Sequence, residues 1–236
     1  MRGIKVIIPN AGMDAVTLHS RAEMLSQWVS RDIPISVECI ETGPVSIESL
    51  SDEVMAGRAV LRQGVRAERE GFDAVVVYCF SDLAVHALRE NVSIPVVGPG
   101  AVTIAAAGMQ AVRFTVITTA SKNLPRTLRR LGEDPVCREK MASVRPLDIP
   151  VEDLREDPSV TLRRLEAVCR EAVEQDGADT ILLGCLGFAQ YGQPIQEKLG
   201  VRVLDPSALS VAWAELCIRT GLCHGPLAYP RYERSL

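Results

Sequence analysis

One stretch of the chain occurs twice. GFDAVVVYCF begins at Gly71 and GADTILLGCL begins at Gly177. Gly, Asp and Cys fall at matching places, and the offset is the same for the glycines (177 − 71 = 106) and the cysteines (185 − 79 = 106). A charged helical pattern precedes each copy, and a short helical pattern with a further strand, SIPVVGP or GVRVLDP, follows it. The opening IKVIIPN has its own counterpart in RFTVITTAS. Matches in the same order predict a duplicated unit, so the fold must be one that can be built twice. Each half is near the lower end of domain size.

Within each half, short apolar runs alternate with amphipathic helical patterns. Strands are predicted at residues 4–8, 35–40, 74–79, 94–98, 114–119, 143–148, 180–185 and 201–205. Helices are predicted near 14–30, 51–70, 83–90, 100–109, 121–132, 159–175, 189–199 and 207–220. Continuous apolar strands separated by helices indicate parallel sheets covered on both faces. The expected fold is α/β, with two pseudo-twofold-related Rossmann-like halves, each a parallel sheet flanked by helices, and the active site in the cleft between them. The first half takes residues 1–98 and part of the C-terminal segment, and it holds Cys79. The second takes 99–210 and holds Cys185, and 211–236 form the C-terminal helix end and tail.

Composition removes several classes of function. At 236 residues and 47% hydrophobic, the chain can bury a core and is not disordered. A net charge of −4 without a basic run argues against nucleic acid. No apolar run is long enough to span a bilayer, so no membrane partner is expected. The opening MRGIKVIIPN lacks a signal-peptide core and cleavage site, which predicts a cytoplasmic protein with reduced cysteines. The seven cysteines contain no Cys-x-x-Cys pair, so no metal is expected.

The chemistry rests on Cys79 and Cys185. A lone buried cysteine is ordinarily a small core hydrophobe. Two at matched strand ends are different, because open parallel sheets collect ligands outside the carboxyl ends of their strands. Thiols facing each other across a cleft suit inversion at an acidic C–H carbon. One removes the proton, the other returns a proton to the opposite face, and the roles exchange in reverse. A helix start after each cysteine would favour thiolate. Backbone N–H groups near Ser81 and Gly187 are candidates to receive the developing oxyanion. Thr118 and Thr119, with Ser121, could hold a carboxylate or imide oxygen, although plain N-capping is an equal reading of them. Gly98-Pro-Gly100 lacks the dinucleotide fingerprint, and no cofactor is expected. Cys39 and Cys169 read as packing residues, and Cys137 as lying near the surface beyond a helix end. Cys217, Cys223 and His224 are a partial metal set at best. His86 reads as solvated or hydrogen-bonded, and Asp82 as a helix cap.

These residues resemble the aspartate/glutamate racemase superfamily, and within it the hydantoin and allantoin racemase branch. The matching pieces span nearly the whole chain: Pro9-Asn10, GPVSIES (43–49), CFSD (79–82), PVVG (95–98), VITTASKNLP (116–125), LLGC (182–185), VLD (203–205) and HGPLAYP (224–230). The resemblance implies cofactor-independent racemisation by Cys79 and Cys185, with Thr118 and Thr119 gripping substrate and Asn10 binding at the first strand. It also implies a homo-oligomer acting on a small molecule. Ile8, Ala11 and Gly12, together with Ala101, stand where the family commonly has polar side chains or a glutamate. A pocket poorer in hydrogen-bonding groups predicts a substrate with a larger apolar substituent than allantoin. The alternatives are a maleate-type cis–trans isomerase with a nucleophilic cysteine and a non-catalytic small-acid-binding protein.

Overall fold

The computed structural model of the protein describes residues 2–231. The chain forms two compact units, one running up to Pro99 and resuming at Ser207, the other comprising Gly100–Pro206. The last five residues of the predicted tail, 232–236, lie outside the described residues.

In the first unit the elements are β1 (Ile4–Ala11), α1 (Ala15–Ser26), β2 (Ile35–Ile40), α2 (Leu50–Arg69), β3 (Ala74–Val77), α3 (Val85–Arg89) and β4 (Val96–Val97). Then α4 (Pro99–Gln110) leads into the second unit. That unit contains β5 (Phe114–Thr118), α5 (Leu124–Leu131), α6 (Pro135–Lys140), β6 (Met141–Pro146), α7 (Pro158–Asp176), β7 (Thr180–Leu183), α8 (Gly192–Leu199) and β8 (Arg202–Leu204). Finally α9 (Pro206–Thr220) begins at the return to the first unit. The sheets have strand orders β2-β1-β3-β4 and β6-β5-β7-β8, and every pairing is parallel. The predicted α/β fold of two parallel-sheet halves is therefore what forms, with one topology used twice.

The central strands are buried on both faces. Ile4, Val6 and Ile7 of β1 and all of β3 are solvent-free, as are Phe114, Val116 and Ile117 of β5 and Ile181, Leu182 and Leu183 of β7. Such strands must be apolar throughout, which is why they read as unbroken runs. Lys5 is the charged residue of β1, and its ammonium is paired with Glu38 at 2.7 Å.

The repeated Gly-x-Asp has a structural cause in each unit. Gly177 ends α7 in the left-handed region (φ 69°), and Gly71, after α2, has φ 86°. Only glycine takes that conformation without a Cβ penalty. Two residues on, each aspartate fastens the start of the neighbouring strand. Asp73 accepts from the Gly3 N–H at 2.7 Å, ahead of β1. Asp179 accepts from the Val112 and Arg113 N–H groups, both at 2.9 Å, ahead of β5.

One helix was not foreseen. Asp134 accepts from the Val136 and Cys137 N–H groups, and Pro135 occupies the first turn, so α6 starts there. Asp-Pro is a helix-start signal. Among the described residues no helix is long and apolar enough to cross a membrane.

Candidate active site

In each sheet the chain leaves the first strand toward one neighbour and later returns on its other side. The crevice beyond the carboxyl ends of β1 and β3, and that beyond β5 and β7, is where open α/β sheets bind ligands. Cys79 lies two residues past the end of β3, and Asn10 is near the end of β1. Cys185 lies two residues past the end of β7, with Thr118 the last residue of β5 and Thr119 the next. The topology thus places each thiol beside the end of its own central strand.

In the first unit the Tyr78 N–H donates to Ile7 O at 2.8 Å, which fixes the departure of Cys79 from the sheet. The half-buried Cys79 Sγ is 3.3 Å from Ser81 Oγ. The Asp82 N–H closes a turn onto Cys79 O at 3.0 Å. Asp82 (φ 54°) and Ala84 (φ 59°) both take the left-handed conformation, which is uncommon for non-glycine residues and concentrates at functional loops. The Asp82 carboxyl packs on Gly98, where an added Cβ would come within 2.6 Å of Asp82 Cγ. That contact explains the glycine of PVVG. The cap position of α3 is held by Ala84, which makes no side-chain bond there.

Asn10 is oriented by GPVSIES. Its Nδ2 donates to Val45 O at 2.9 Å, and the Ala11 N–H donates to Pro44 O at 2.8 Å. The motif ends at Ser49, which caps α2 through the Asp52 N–H at 3.1 Å. This loop therefore joins the start of α2 to the end of β1.

In the second unit Gly184 is required by close packing. A Cβ there would stand 2.6 Å from Ile117 O and 2.8 Å from Val116 Cγ1. Cys185 then opens a short 3-10 turn, Leu186–Phe188, and its Sγ accepts the Gly187 N–H at 3.3 Å. This amide, read from the sequence as a donor to the developing oxyanion, points at the sulfur in the structure. The α-helix starts lie farther off, α3 at Val85 and α8 at Gly192, while Cys185 stands at the cap position of the short 3-10 helix that follows it.

Thr118 and Thr119 are buried, at 6% and 4% exposure. Their carbonyls are held by the Leu147 and Ile149 N–H groups at 2.8 and 3.2 Å. Asn123 Nδ2 donates to Thr119 Oγ1 at 3.2 Å. Ser121 is spent elsewhere: its N–H and hydroxyl donate to the two oxygens of Asp148, at 2.7 and 3.0 Å. The Ser121 hydroxyl and amide hold that carboxyl below the usual carboxylate range. Asn123 falls within the predicted helix 121–132 and Asp148 at the end of the predicted strand 143–148, and neither is singled out by the sequence as a site residue.

The other cysteines and histidines separate by burial. Cys137 is not at the surface. It is 1% exposed within α6, and burial pushes its thiol up to about 12. Burial pushes Cys169 up to about 12 as well, and raises Cys217. Cys223 is exposed and bonds to Ser93 O, while His224 Nε2 bonds to Val92 O at 3.0 Å. His86 Nδ1 is 2.8 Å from Tyr229 Oη, and the rings stack. The tail HGPLAYP thus packs along α3. Among the described residues no group of three or more His, Cys, Asp or Glu could hold a metal ion.

Comparison with known proteins gives one consistent result. The Asp/Glu/Hydantoin racemase family profile matches residues 4–214. The chain is 34% identical to a hydantoin racemase of Pseudomonas sp. (strain NS671), over 92% of this chain and 86% of the relative. It is 35% identical to a hydantoin racemase of Rhizobium meliloti, over 81% of this chain and 80% of the relative. Its fold superposes on the allantoin racemase from Klebsiella pneumoniae with a TM-score of 0.89 and 28% identity, covering 100% of this chain and 96% of that one.

Proposed function

The chain is a racemase that belongs to the Asp/Glu/hydantoin racemase family, and from that premise we propose that Cys79 and Cys185 invert one acidic C–H carbon of a 5-substituted hydantoin. The observation that carries the reading is their equivalent placement. Each lies two residues beyond the same strand of one repeated topology, beside the end of the central strand.

The reaction starts with one sulfur as thiolate and the other as thiol. The thiolate takes the proton from carbon, and the electron pair left behind passes into the adjacent carbonyl. The thiol then gives its proton to the opposite face of that carbon. Substrate is inverted, and the two sulfurs have exchanged states. The Gly187 N–H on Cys185 and the Ser81 hydroxyl beside Cys79 orient the thiols. The Thr118 and Thr119 hydroxyls, and the Asn10 amide, hold the ring oxygens. A donor preorganised toward developing negative charge is worth about a hundredfold or more in rate. The chain's own groups supply base, acid and oxyanion contacts, so the proposal invokes no cofactor.

The substrate class follows from what the end of β1 lacks. Ile8, Ala11 and Gly12 bring no polar side chain, and a ring substituent rich in amide groups would be left without partners. An apolar 5-substituent suits these residues better than the ureido group of allantoin. Polarimetry on single enantiomers of 5-alkylhydantoins, allantoin and amino acids tests this. Fastest loss of rotation with a 5-alkylhydantoin is expected. Allantoin as the best substrate would overturn the substrate assignment. Isomerised maleate with a covalent thiol adduct, and no racemisation, would overturn the reaction.

A further inference from the structure

Asn123 is an anomaly inside the second unit. It is 3% exposed, and its Oδ1 is buried without any hydrogen-bond partner. Buried polar atoms are nearly always paired, so an orphaned amide oxygen asks for a reason. The side chain does not cap α5, although Asn123 stands at the cap position. It reaches back four residues, and its Nδ2 donates to Thr119 Oγ1 at 3.2 Å.

That direction matters. A threonine hydroxyl has one proton to give and two lone pairs to receive with. With one lone pair occupied by the Asn123 N–H, the Thr119 proton is turned away from Asn123. Rotating the amide would reverse this: Oδ1 would take the Thr119 proton, Nδ2 would become the atom without a partner, and the hydroxyl would become an acceptor only. The observed arrangement leaves Oδ1 unpaired and keeps the hydroxyl a donor. The neighbouring donors are already committed, since the Ser121 N–H and hydroxyl both serve Asp148.

We infer that Asn123 is a positioning residue that makes Thr119 a hydrogen-bond donor to the substrate oxygen on which charge develops. This rests on the reading of Thr119 as a substrate-gripping residue. Asn123 does not touch substrate. It fixes which way the Thr119 proton points, and so acts on the transition state through Thr119.

The test is a double-mutant cycle on racemisation of a 5-alkylhydantoin, with kcat and KM measured separately. Asn123→Asp keeps the shape but supplies only acceptors, so the Thr119 proton is drawn to it. Thr119→Val removes the hydroxyl at nearly constant volume. Each single variant is expected to lower kcat by about a hundredfold, the scale of one lost oxyanion donor, with KM little changed. The double variant is expected to be no slower than Thr119→Val alone, since both remove the same donor. Asn123→Leu, which carries no buried charge, repeats the cycle if the aspartate variant does not fold. Multiplied losses in the double variant, or full kcat in the Asn123 variants, would overturn the inference while leaving the racemase reading intact. Full kcat in Thr119→Val would overturn the reading of Thr119, and the inference with it.

Discussion

Between Leu183 and Cys185 the chain has no room for a side chain. Gly184 is pressed against the backbone of β5, with Ile117 O where a Cβ would sit. Backbone cannot swing aside as a side-chain tip can, so relief requires β7 to shift and Cys185 to move with it. Gly184→Ala is expected to cost about 1–3 kcal/mol, the usual range for overpacking a core, and to lower activity as well as Tm. Thermal unfolding and racemase assays on the same preparation check this. An unchanged Tm with full activity would show that the contact is not tight. The equivalent position in the first unit (184 − 106 = 78) is Tyr78, whose hydroxyl donates to Ser207 Oγ at 2.7 Å. The two units therefore aim their thiols by different local means. The matched placement of the cysteines was legible at this scale because an offset can be read directly from sequence. The partners of Thr119 and Ser121 were not, because which hydroxyl is spent and which is available depends on a buried contact.

Among the elements, β6 and α7 are joined by one polar cluster. Arg145 on β6 donates to both oxygens of Asp176 at 2.6 and 2.9 Å and to Glu171 at 2.7 Å, and Ser143 donates to Asp176 at 2.6 Å. Arg145 and Ser143 hold the Asp176 carboxyl below its ordinary value of 3.8, Arg145 most of all. A depressed carboxylate contributes stability that is present above the unfolded pKa and is lost as pH falls through the folded one. Asp176→Asn is thus expected to cost about 2 kcal/mol at pH 7, the scale of charge-assisted hydrogen bonds. The difference should shrink as pH falls below about 4. Urea unfolding of both proteins at pH 7 and pH 3 measures it, and an equal or larger difference at pH 3 would contradict the assignment. Most elements were readable as runs and periods, since the central strands are buried on both faces. The short α6 was not. Its signal is only Asp134-Pro135, and without a helix there Cys137 was placed at the surface instead of in the core. The helix predicted near 83–90 begins later, because φ 54° at Asp82 and 59° at Ala84 delay α3 to Val85.

At the scale of the whole molecule, one strand order is built twice, and the repeated Gly, Asp and Cys stand at matching places in both units. Glycine ends or follows a helix in the left-handed region, aspartate fastens the central strand, and cysteine stands beyond the adjacent strand end. The repeat could be read from sequence for that reason: three physical requirements recur at fixed spacing. What the sequence left open was how each thiol is held, by a hydroxyl at Cys79 and by an amide at Cys185. The decisive measurement concerns both sulfurs together. Each enantiomer of a 5-alkylhydantoin is incubated in D₂O with the wild type, Cys79→Ser or Cys185→Ser, and the C5 proton is followed by NMR beside optical rotation. Two-thiol catalysis predicts proton loss coupled to racemisation in the wild type. It predicts that either substitution lowers racemisation by about a hundredfold or more, the scale of general acid–base catalysis, and leaves exchange with one enantiomer only, the opposite one in each variant. Racemisation at the wild-type rate in either variant would show that its sulfur is not needed.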